Sequence, residues 1–164
     1  MYNLKIKSSI HDYELQFITE FRSSLETVLQ EGDVIIIDNT IAMLYSGELT
    51  HVLSVNKHIL IDANEPQKSY QGIIPVIDEL IQKGFRKNHR LIAIGGGVTQ
   101  DVTAFIASII YRGVDWYFFP TTLLAQCDSC IGSKTSINFG EYNNQVGGFI
   151  RQAEFLFTHS LLTL

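Results

Sequence analysis

Arg90-Leu91-Ile92-Ala93-Ile94 runs directly into Gly95-Gly96-Gly97, and Val98-Thr99-Gln100-Asp101 follows at once. A short apolar run rich in β-branched residues is expected to be a strand buried on both faces. Helical spacing then predicts a helix from Val98 to Tyr111, ended by Arg112-Gly113. Three glycines between strand and helix remove every Cβ from the turn. Backbone N–H groups there can approach a pyrophosphate closely, and the helix N-terminus adds partial positive charge. The same pattern also suits a tight turn that binds nothing, and it is not the G-x-G-x-x-G fingerprint. Asp101, read as a first-turn residue, either favours the helix dipole or accepts a hydrogen bond from a ligand hydroxyl; position leaves both open.

Around this unit the buried-strand pattern repeats. Asp33-Val34-Ile35-Ile36-Ile37-Asp38 and His58-Ile59-Leu60-Ile61-Asp62 share it, and Trp116-Tyr117-Phe118-Phe119 is an aromatic version. Ser69 to Lys83 predicts a helix with Ile73, Ile74, Val76, Ile77, Leu80 and Ile81 on one broad stripe, stopped by Gly84. Strands alternating with helices imply βαβ crossovers. The expected fold is therefore α/β, a mostly parallel, Rossmann-like sheet flanked by helices, with ligands at its carboxyl edge. Asn3-Leu4-Lys5-Ile6-Lys7 and Tyr13-Glu14-Leu15-Gln16-Phe17 alternate strictly across a short turn, so an N-terminal antiparallel hairpin is expected at the sheet edge. After Pro120 the pattern is irregular until Glu154-Phe155-Leu156-Phe157, a last strand. The apolar ending Leu161-Leu162-Thr163-Leu164 is expected to be a cut rather than a natural terminus.

Composition narrows the function. With 164 residues, 46% hydrophobic and 18% charged, the chain is sized for one folded domain. The net charge is −5 and the positive charges are scattered, which argues against nucleic acid as a partner. Arg86-Lys87 and His89-Arg90, the densest basic spot, read as a solvated loop. No apolar run is long enough for a membrane span and Met1–Ile10 lacks an apolar h-region, so a cytoplasmic protein without a membrane partner is expected. Cys127 and Cys130 form a C-x-x-C, either a redox pair or half a zinc site, or two small side chains on a buried or half-buried turn. With no second cysteine pair and no histidine beside them, the last is expected. His11, His51, His58, His89 and His159 are dispersed, so no metal site made wholly within this chain is expected.

The later motifs carry a resemblance. Gly95-Gly96-Gly97-Val98-Thr99-Gln100-Asp101 is followed by Tyr111-Arg112-Gly113-Val114-Asp115 and by Pro120-Thr121-Thr122-Leu123-Leu124-Ala125-Gln126-Cys127-Asp128-Ser129. Gly132-Ser133-Lys134-Thr135-Ser136-Ile137-Asn138 comes next. In order and spacing these blocks resemble 3-dehydroquinate synthase, an NAD-dependent sugar-phosphate cyclase of the shikimate pathway. The resemblance implies that residues 1–164 are the NAD-binding N-terminal half. It also implies that a helical half carrying the Glu and His ligands of a divalent metal, zinc or cobalt, lies outside the chain. Such a fragment is expected to be inactive alone.

By resemblance, Asp38, Asn39 and Thr40 face the adenosine side of NAD, while Glu65 and Lys68 hold ribose and phosphate. Gly96, Gly97, Val98 and Asp101 form the pyrophosphate and ribose cradle, with Thr121 and Thr122 beside the nicotinamide. Arg112, Asp128, Lys134 and Asn144 match contacts to the phosphorylated sugar substrate. The counterpart of Arg112 reaches the phosphate of the neighbouring subunit, which implies a homodimer. The implied reaction oxidises a hydroxyl with NAD, eliminates phosphate, re-reduces the ketone and closes the ring by an aldol step. Cationic groups would stabilise the departing phosphate. Asp128 and Asn144 would orient hydroxyls. Taken without the resemblance, Asp128 reads as a cap and Lys134 as a solvated loop residue.

Several positions depart from the family pattern. Gln100 stands where a Gly is usual, either crowding the cofactor or pointing to solvent. Gly132-Ser133-Lys134-Thr135-Ser136 is a mild variant of Gly-Gly-Lys-Thr-Gly. Asn143 replaces a Lys that contacts NAD, a charge Asn does not supply. Phe139-Gly140-Glu141-Tyr142 differs from the usual loop and somewhat resembles relatives that cyclise other sugar phosphates, such as valiolone-type cyclases. Other readings thus stay open: a valiolone or inosose cyclase, a metal-dependent polyol or glycerol-phosphate dehydrogenase, or a non-catalytic nucleotide-binding module.

Overall fold

The computed structural model describes residues 2–7, 12–129, 134–149 and 154–158. The hairpin turn at 8–11, His159, the Leu161–Leu164 ending, Gly132, Ser133 and Cys130, with its C-x-x-C partnership, lie outside the described residues. The chain opens with strands β1 (Tyr2–Ile6) and β2 (Tyr13–Ile18), then helix α1 (Phe21–Val28) and β3 (Val34–Asp38). Helices α2 (Asn39–Leu44) and α3 (Ser46–Val55) lead to β4 (Lys57–Ile61), and α4 (Tyr70–Gln82) leads to β5 (Leu91–Gly95). Helix α5 (Gly97–Ile109), β6 (Trp116–Pro120), the pair β7 (Lys134–Phe139) and β8 (Tyr142–Phe149), and β9 (Glu154–Thr158) complete it.

Seven strands form one sheet in the order β1-β2-β9-β6-β5-β3-β4. Every pairing from β2 to β4 is parallel, and β1 adds antiparallel to β2 at the edge, as the alternating N-terminal segments predict. From β3 the chain moves one way to β4, and from β5 the other way to β6. The winding therefore reverses between β3 and β5, where open α/β sheets form a crevice beyond their carboxyl ends.

The period-2 alternation of the strands explains the two layers of core. Ile35, Ile37, Ile92 and Ile94 pack with Phe21, Leu25, Leu49 and Val52 of α1 and α3. Their neighbours Val34, Ile36, Leu91 and Ala93 face Ile73, Val76 and Leu80 of α4 and Val102 and Ile106 of α5 on the other side. A one-residue slip in β3 or β5 would exchange these sets, so the register is strongly specified.

Helix α4 ends as the sequence predicts. Gly84 has φ 74°, the Gly84 N–H bonds to the Ile81 carbonyl and the Phe85 N–H to Leu80, the two bonds of a Schellman stop. Its apolar stripe is narrower than expected, because Ile74 and Ile81 are exposed while Ile73, Val76 and Leu80 are buried. Helix α5 stops at Ile109, and Tyr111, placed in the helix by periodicity, has φ 49° in a following turn. The basic spot is a further correction. Arg86 and Lys87 are exposed, but Arg90 lies against buried Asp33, with its guanidinium 4.6 Å from the centre of the Tyr117 ring.

The stretch after Pro120 is the main departure. A turn of π-helix covers Ala125–Ser129, and β7 and β8 form a separate antiparallel ribbon joined by Gly140-Glu141. Gly140 has φ 58°, as the first central position of a two-residue hairpin requires. Ile137 enters the core beside α5, and Thr135 is buried with it. At Gly147 an added Cβ would lie 1.8 Å from the Thr135 carbonyl oxygen, so the two strands meet there only because Gly has no side chain.

Candidate functional site

Gly95 ends β5 and Gly96 is the N-cap of α5, bringing no side-chain acceptor to the first helical turn. The turn is tight. A Cβ on Gly95 would lie 2.3 Å from Thr99 Oγ1, and one on Gly96 would lie 3.1 Å from Thr122 Cγ2. The backbone of β6 continues alongside, with the Thr121 N–H bonded to the Gly95 carbonyl at 2.9 Å. Thr121 is buried, and its hydroxyl has no hydrogen-bond partner. A buried orphan hydroxyl beside a glycine turn with free helix-end N–H capacity suits a polar ligand. The Gly95 contact also yields a test: Gly95→Ala is expected to cost about 1–3 kcal/mol through overpacking. Adding Thr99→Ala removes the 2.3 Å contact but leaves the Thr99 Cβ 2.7 Å away, so it should recover only part of that loss, as read by urea denaturation of both variants.

Charge gathers next to this turn. After β4, Asn64 caps a short 3₁₀ turn, Glu65–Gln67, by accepting the Gln67 N–H at 3.0 Å, and this turn delivers Lys68. Lys68 is buried, and its Nζ sits 3.2 Å from Asp101 Oδ2 and 3.8 Å from Glu65 Oε2. Asp101 therefore lies past the first turn of α5, and the dipole account does not apply to it; its partner is a lysine 33 residues earlier. Burial pushes the Asp101 carboxyl above its ordinary pKa, against the pull of Lys68, and Glu65 adds to the push. The site thus holds a carboxyl sensitive to what joins it.

Asp38 is half-buried at the end of β3 and caps α2 by accepting the Thr40 N–H at 2.8 Å. Asn39 Nδ2 reaches Asp62 Oδ1 at 3.5 Å, across the ends of β3 and β4. An open depression of about 420 Å³, bordered by Asn39, Asp62, Gln67 and Glu79, lies on this side. A second depression between Glu31, Gly32, Val55 and Lys57 opens at the amino ends of β3 and β4 and gathers none of the candidate residues. Gln100 is buried in α5, so its side chain does not point to solvent.

The structure brings some substrate-side residues to this edge and keeps one away. Asn144 belongs to β8, has φ 57°, and donates its N–H to Asn138 Oδ1 at 2.9 Å. Lys134 opens β7 opposite Phe149, so it starts a strand rather than lying in a loop. Asp128 is exposed and lies within the π turn itself. Arg112 is exposed with φ 64° beyond the far end of α5, a helix of 13 residues and hence about 20 Å long. Within one chain it does not meet the cradle. Cys127 is an exposed free thiol, contrary to the buried-turn reading. Among the described residues no three His, Cys, Asp or Glu side chains converge on a metal position, and no helix is long and apolar enough to cross a membrane. Sequence reasoning missed Asn138 as a site residue. The two-residue Gly140-Glu141 turn was the available signal for the hairpin that carries it.

Fold and site define a doubly wound α/β domain with a glycine turn and a charged cluster at its carboxyl edge. Residues 58–164 match the family model described as 3-dehydroquinate synthase N-terminal. The 3-dehydroquinate synthase of Ruminiclostridium cellulolyticum is 33% identical over 172 aligned positions, covering 99% of this chain and 46% of that protein. That of Nitrobacter hamburgensis is 47% identical over 91 positions, 56% of this chain and 24% of that one. The chain belongs to the 3-dehydroquinate synthase family. Among solved structures, 2-epi-5-epi-valiolone synthase from Streptomyces hygroscopicus, with NAD⁺ and Zn²⁺ bound, is 30% identical with a TM-score of 0.82. The match covers 98% of this chain and 46% of that one. A 2-deoxy-scyllo-inosose synthase shares the fold, with a TM-score of 0.83 at 19% identity over 98% of this chain and 47% of its own. The chain spans less than half the length of each of these proteins.

Proposed function

We propose that this chain is the NAD-binding domain of a sugar-phosphate cyclase, with 3-dehydroquinate formation from a heptulosonate phosphate as its reaction. The observation that carries the reading is the meeting of Lys68, Glu65 and Asp101 beside the Gly95–Gly97 turn, with the Thr121 hydroxyl left unpartnered. Backbone N–H groups of Gly97 and Val98, with Lys68, hold the pyrophosphate of the dinucleotide, and Gly96 gives it room. Asp101 and Glu65 accept ribose hydroxyls, Asp38, Asn39 and Thr40 border the adenosine, and Thr121 and Thr122 line the nicotinamide end. When bound, NAD supplies a hydride acceptor and donor. Asp128 and Asn144 orient substrate hydroxyls, and Lys134 and Arg112 balance the charge of the departing phosphate.

Among the described residues no cluster fits the divalent metal of the family, and on this reading its ligands belong to a helical part outside residues 1–164. Activity therefore requires that part, and the chain alone binds NAD without turnover. The distance of Arg112 from the cradle supports its acting on the phosphate of a neighbouring subunit in a homodimer. Calorimetric titration tests the cofactor site: saturable heat with NAD supports it, and neither heat nor a thermal shift at millimolar NAD overturns it. The likeness to the valiolone synthase favours a second reading, a cyclase of another sugar phosphate. Assaying the whole protein against different heptulose phosphates separates the two, while net accumulation of NADH would point to a dehydrogenase instead.

A further inference from the structure

The hairpin β7–β8 stands apart from the main sheet, yet one side chain binds it to the cofactor turn. Between the pairs Ile137–Val146 and Phe139–Tyr142 the register shifts, so Asn138 alone opposes Asn143, Asn144 and Gln145. Such a bulge leaves backbone groups unpaired. Asn138 Oδ1 takes the Asn144 N–H at 2.9 Å, with Asn144 in the left-handed conformation. The Asn138 Nδ2 donates to Glu65 Oε2 at 2.7 Å, and its backbone N–H donates to the Lys68 carbonyl at 2.7 Å. Asn138 also forms an isolated parallel bridge with Ser69 and is buried.

The bonds to Glu65 and Lys68 join residues 73 and 70 positions apart, the bond to Asn144 crosses the hairpin, and each ends on a candidate binding residue. Glu65 is otherwise exposed, with 63% of its side chain accessible, so among the described residues Lys68 and Asn138 are the groups that orient its carboxylate. A carboxamide is suited to this because it is a donor and an acceptor on one rigid plane. We propose that Asn138 is a positioning residue that couples the cofactor turn to the substrate hairpin, orienting Glu65 with its amide nitrogen and Asn144 with its amide oxygen. The role rests on the cofactor reading above. It predicts that a change at Glu65 is felt at Asn144, and that loss of either half of the carboxamide is separable from loss of the other.

The test uses the full 164-residue chain. Backbone amide exchange by NMR and NAD affinity by calorimetry are measured for the wild type, Asn138→Ala, Asn138→Asp, Glu65→Ala and the Asn138→Asp/Glu65→Ala pair. In Asn138→Ala, protection of the Asn144 amide should fall about tenfold and NAD should bind about five- to tenfold more weakly, as for lost hydrogen bonds to a charged group. Asn138→Asp keeps the acceptor for Asn144 but sets a carboxylate against Glu65. The Asn144 amide should stay protected while NAD affinity falls, a split that a general loss of folding would not produce. The pair should bind NAD no more weakly than Glu65→Ala, and Glu65→Ala should loosen the Asn144 amide at least about threefold. Additive losses in the pair, or an Asn144 amide indifferent to Asn138→Ala and Glu65→Ala, overturn the proposal. If the wild type itself binds no NAD, the cofactor reading fails, and the exchange response to Glu65→Ala alone decides the coupling.

Discussion

Asp33→Ala is expected to destabilise the chain by about 3–5 kcal/mol, the cost of removing one partner from a buried charge pair. Asp33 precedes β3, and only 2% of its side chain is accessible, against 13% for Arg90. Its two oxygens take four hydrogen bonds. Oδ2 accepts the Gln30 N–H at 2.9 Å and Arg90 Nη2 at 2.5 Å; Oδ1 accepts Arg90 Nε and the Arg90 N–H, both at 3.2 Å. Arg90 Nη2 also donates to the Val28 carbonyl at 2.6 Å, so this one guanidinium ties the end of α1 to the entry of β3 and β5. Burial works against the Arg90 charge, but the hydrogen bond and charge of Asp33, with Tyr117 adding to them, outweigh it and raise its pKa. Alanine would strand that charge and leave two backbone donors unpaired. At about 2–4 °C per kcal/mol for a chain of this size, the melting temperature should fall by roughly 10 °C. Scanning calorimetry reads it. The double change Asp33→Leu/Arg90→Met should sit closer to the wild type than Asp33→Ala, because it buries no unpaired charge. A melting temperature within about a degree of the wild type in Asp33→Ala would show that water already satisfies the pair.

Lys68→Met is the second large effect and falls on the site itself. It removes the group that pulls the Asp101 pKa down, leaving burial and Glu65 to push the carboxyl up unopposed. A carboxyl with a higher pKa folded than unfolded holds its proton more tightly in the native state. Its contribution favours folding below the ordinary value of 3.8 and is lost as pH rises through the raised value. The stability deficit of Lys68→Met should thus be about 1–3 kcal/mol at pH 7.5 and smaller near pH 4, where Asp101 begins to take up its proton. Adding Asp101→Asn should remove most of that pH dependence. Urea denaturation at the two pH values reads the sign directly. On the proposed function, NAD affinity should drop about tenfold or more in Lys68→Met, since the proposed charge-assisted contact to phosphate would be lost. A deficit that is equal at both pH values would mean that Lys68 acts by packing its buried stem alone.

Much of the framework was legible because it follows from local pattern. The β-branched runs at Val34–Asp38, Lys57–Ile61 and Leu91–Gly95 became neighbouring parallel strands within a residue of their expected ends. Such runs gain stability only where both faces are covered. Gly84 and the Gly95–Gly97 turn were equally readable, since a left-handed stop and a close strand-to-helix turn each demand Gly. Ile74 and Ile81 were misread because periodicity counts apolar residues on a stripe and does not see where the partner layer ends. The hairpin β7–β8 was missed for a related reason. Its core contact falls on Thr135 and Ile137, and its outer residues are polar or Gly, so it carries little of the hydrophobic alternation that marks a strand.

The sequence by itself determined the doubly wound class, the alternation that assigns each strand residue to one core layer, and the glycine turn that opens α5. These are properties of neighbours in the chain, set by sterics and by periods of 2 and 3.6. Only the tertiary structure decided that β9 lies between β2 and β6, that Lys68 meets Asp101, and that Asn138 holds Glu65 and Asn144 together. Lys68 and Asp101 stand 33 positions apart along the chain, and Asn138 and Glu65 stand 73 apart. No local propensity encodes such contacts. They form because covering both faces of the sheet brings the ends of β4, β5 and β7 to one edge, where buried polar groups must find partners among whatever the fold has placed there.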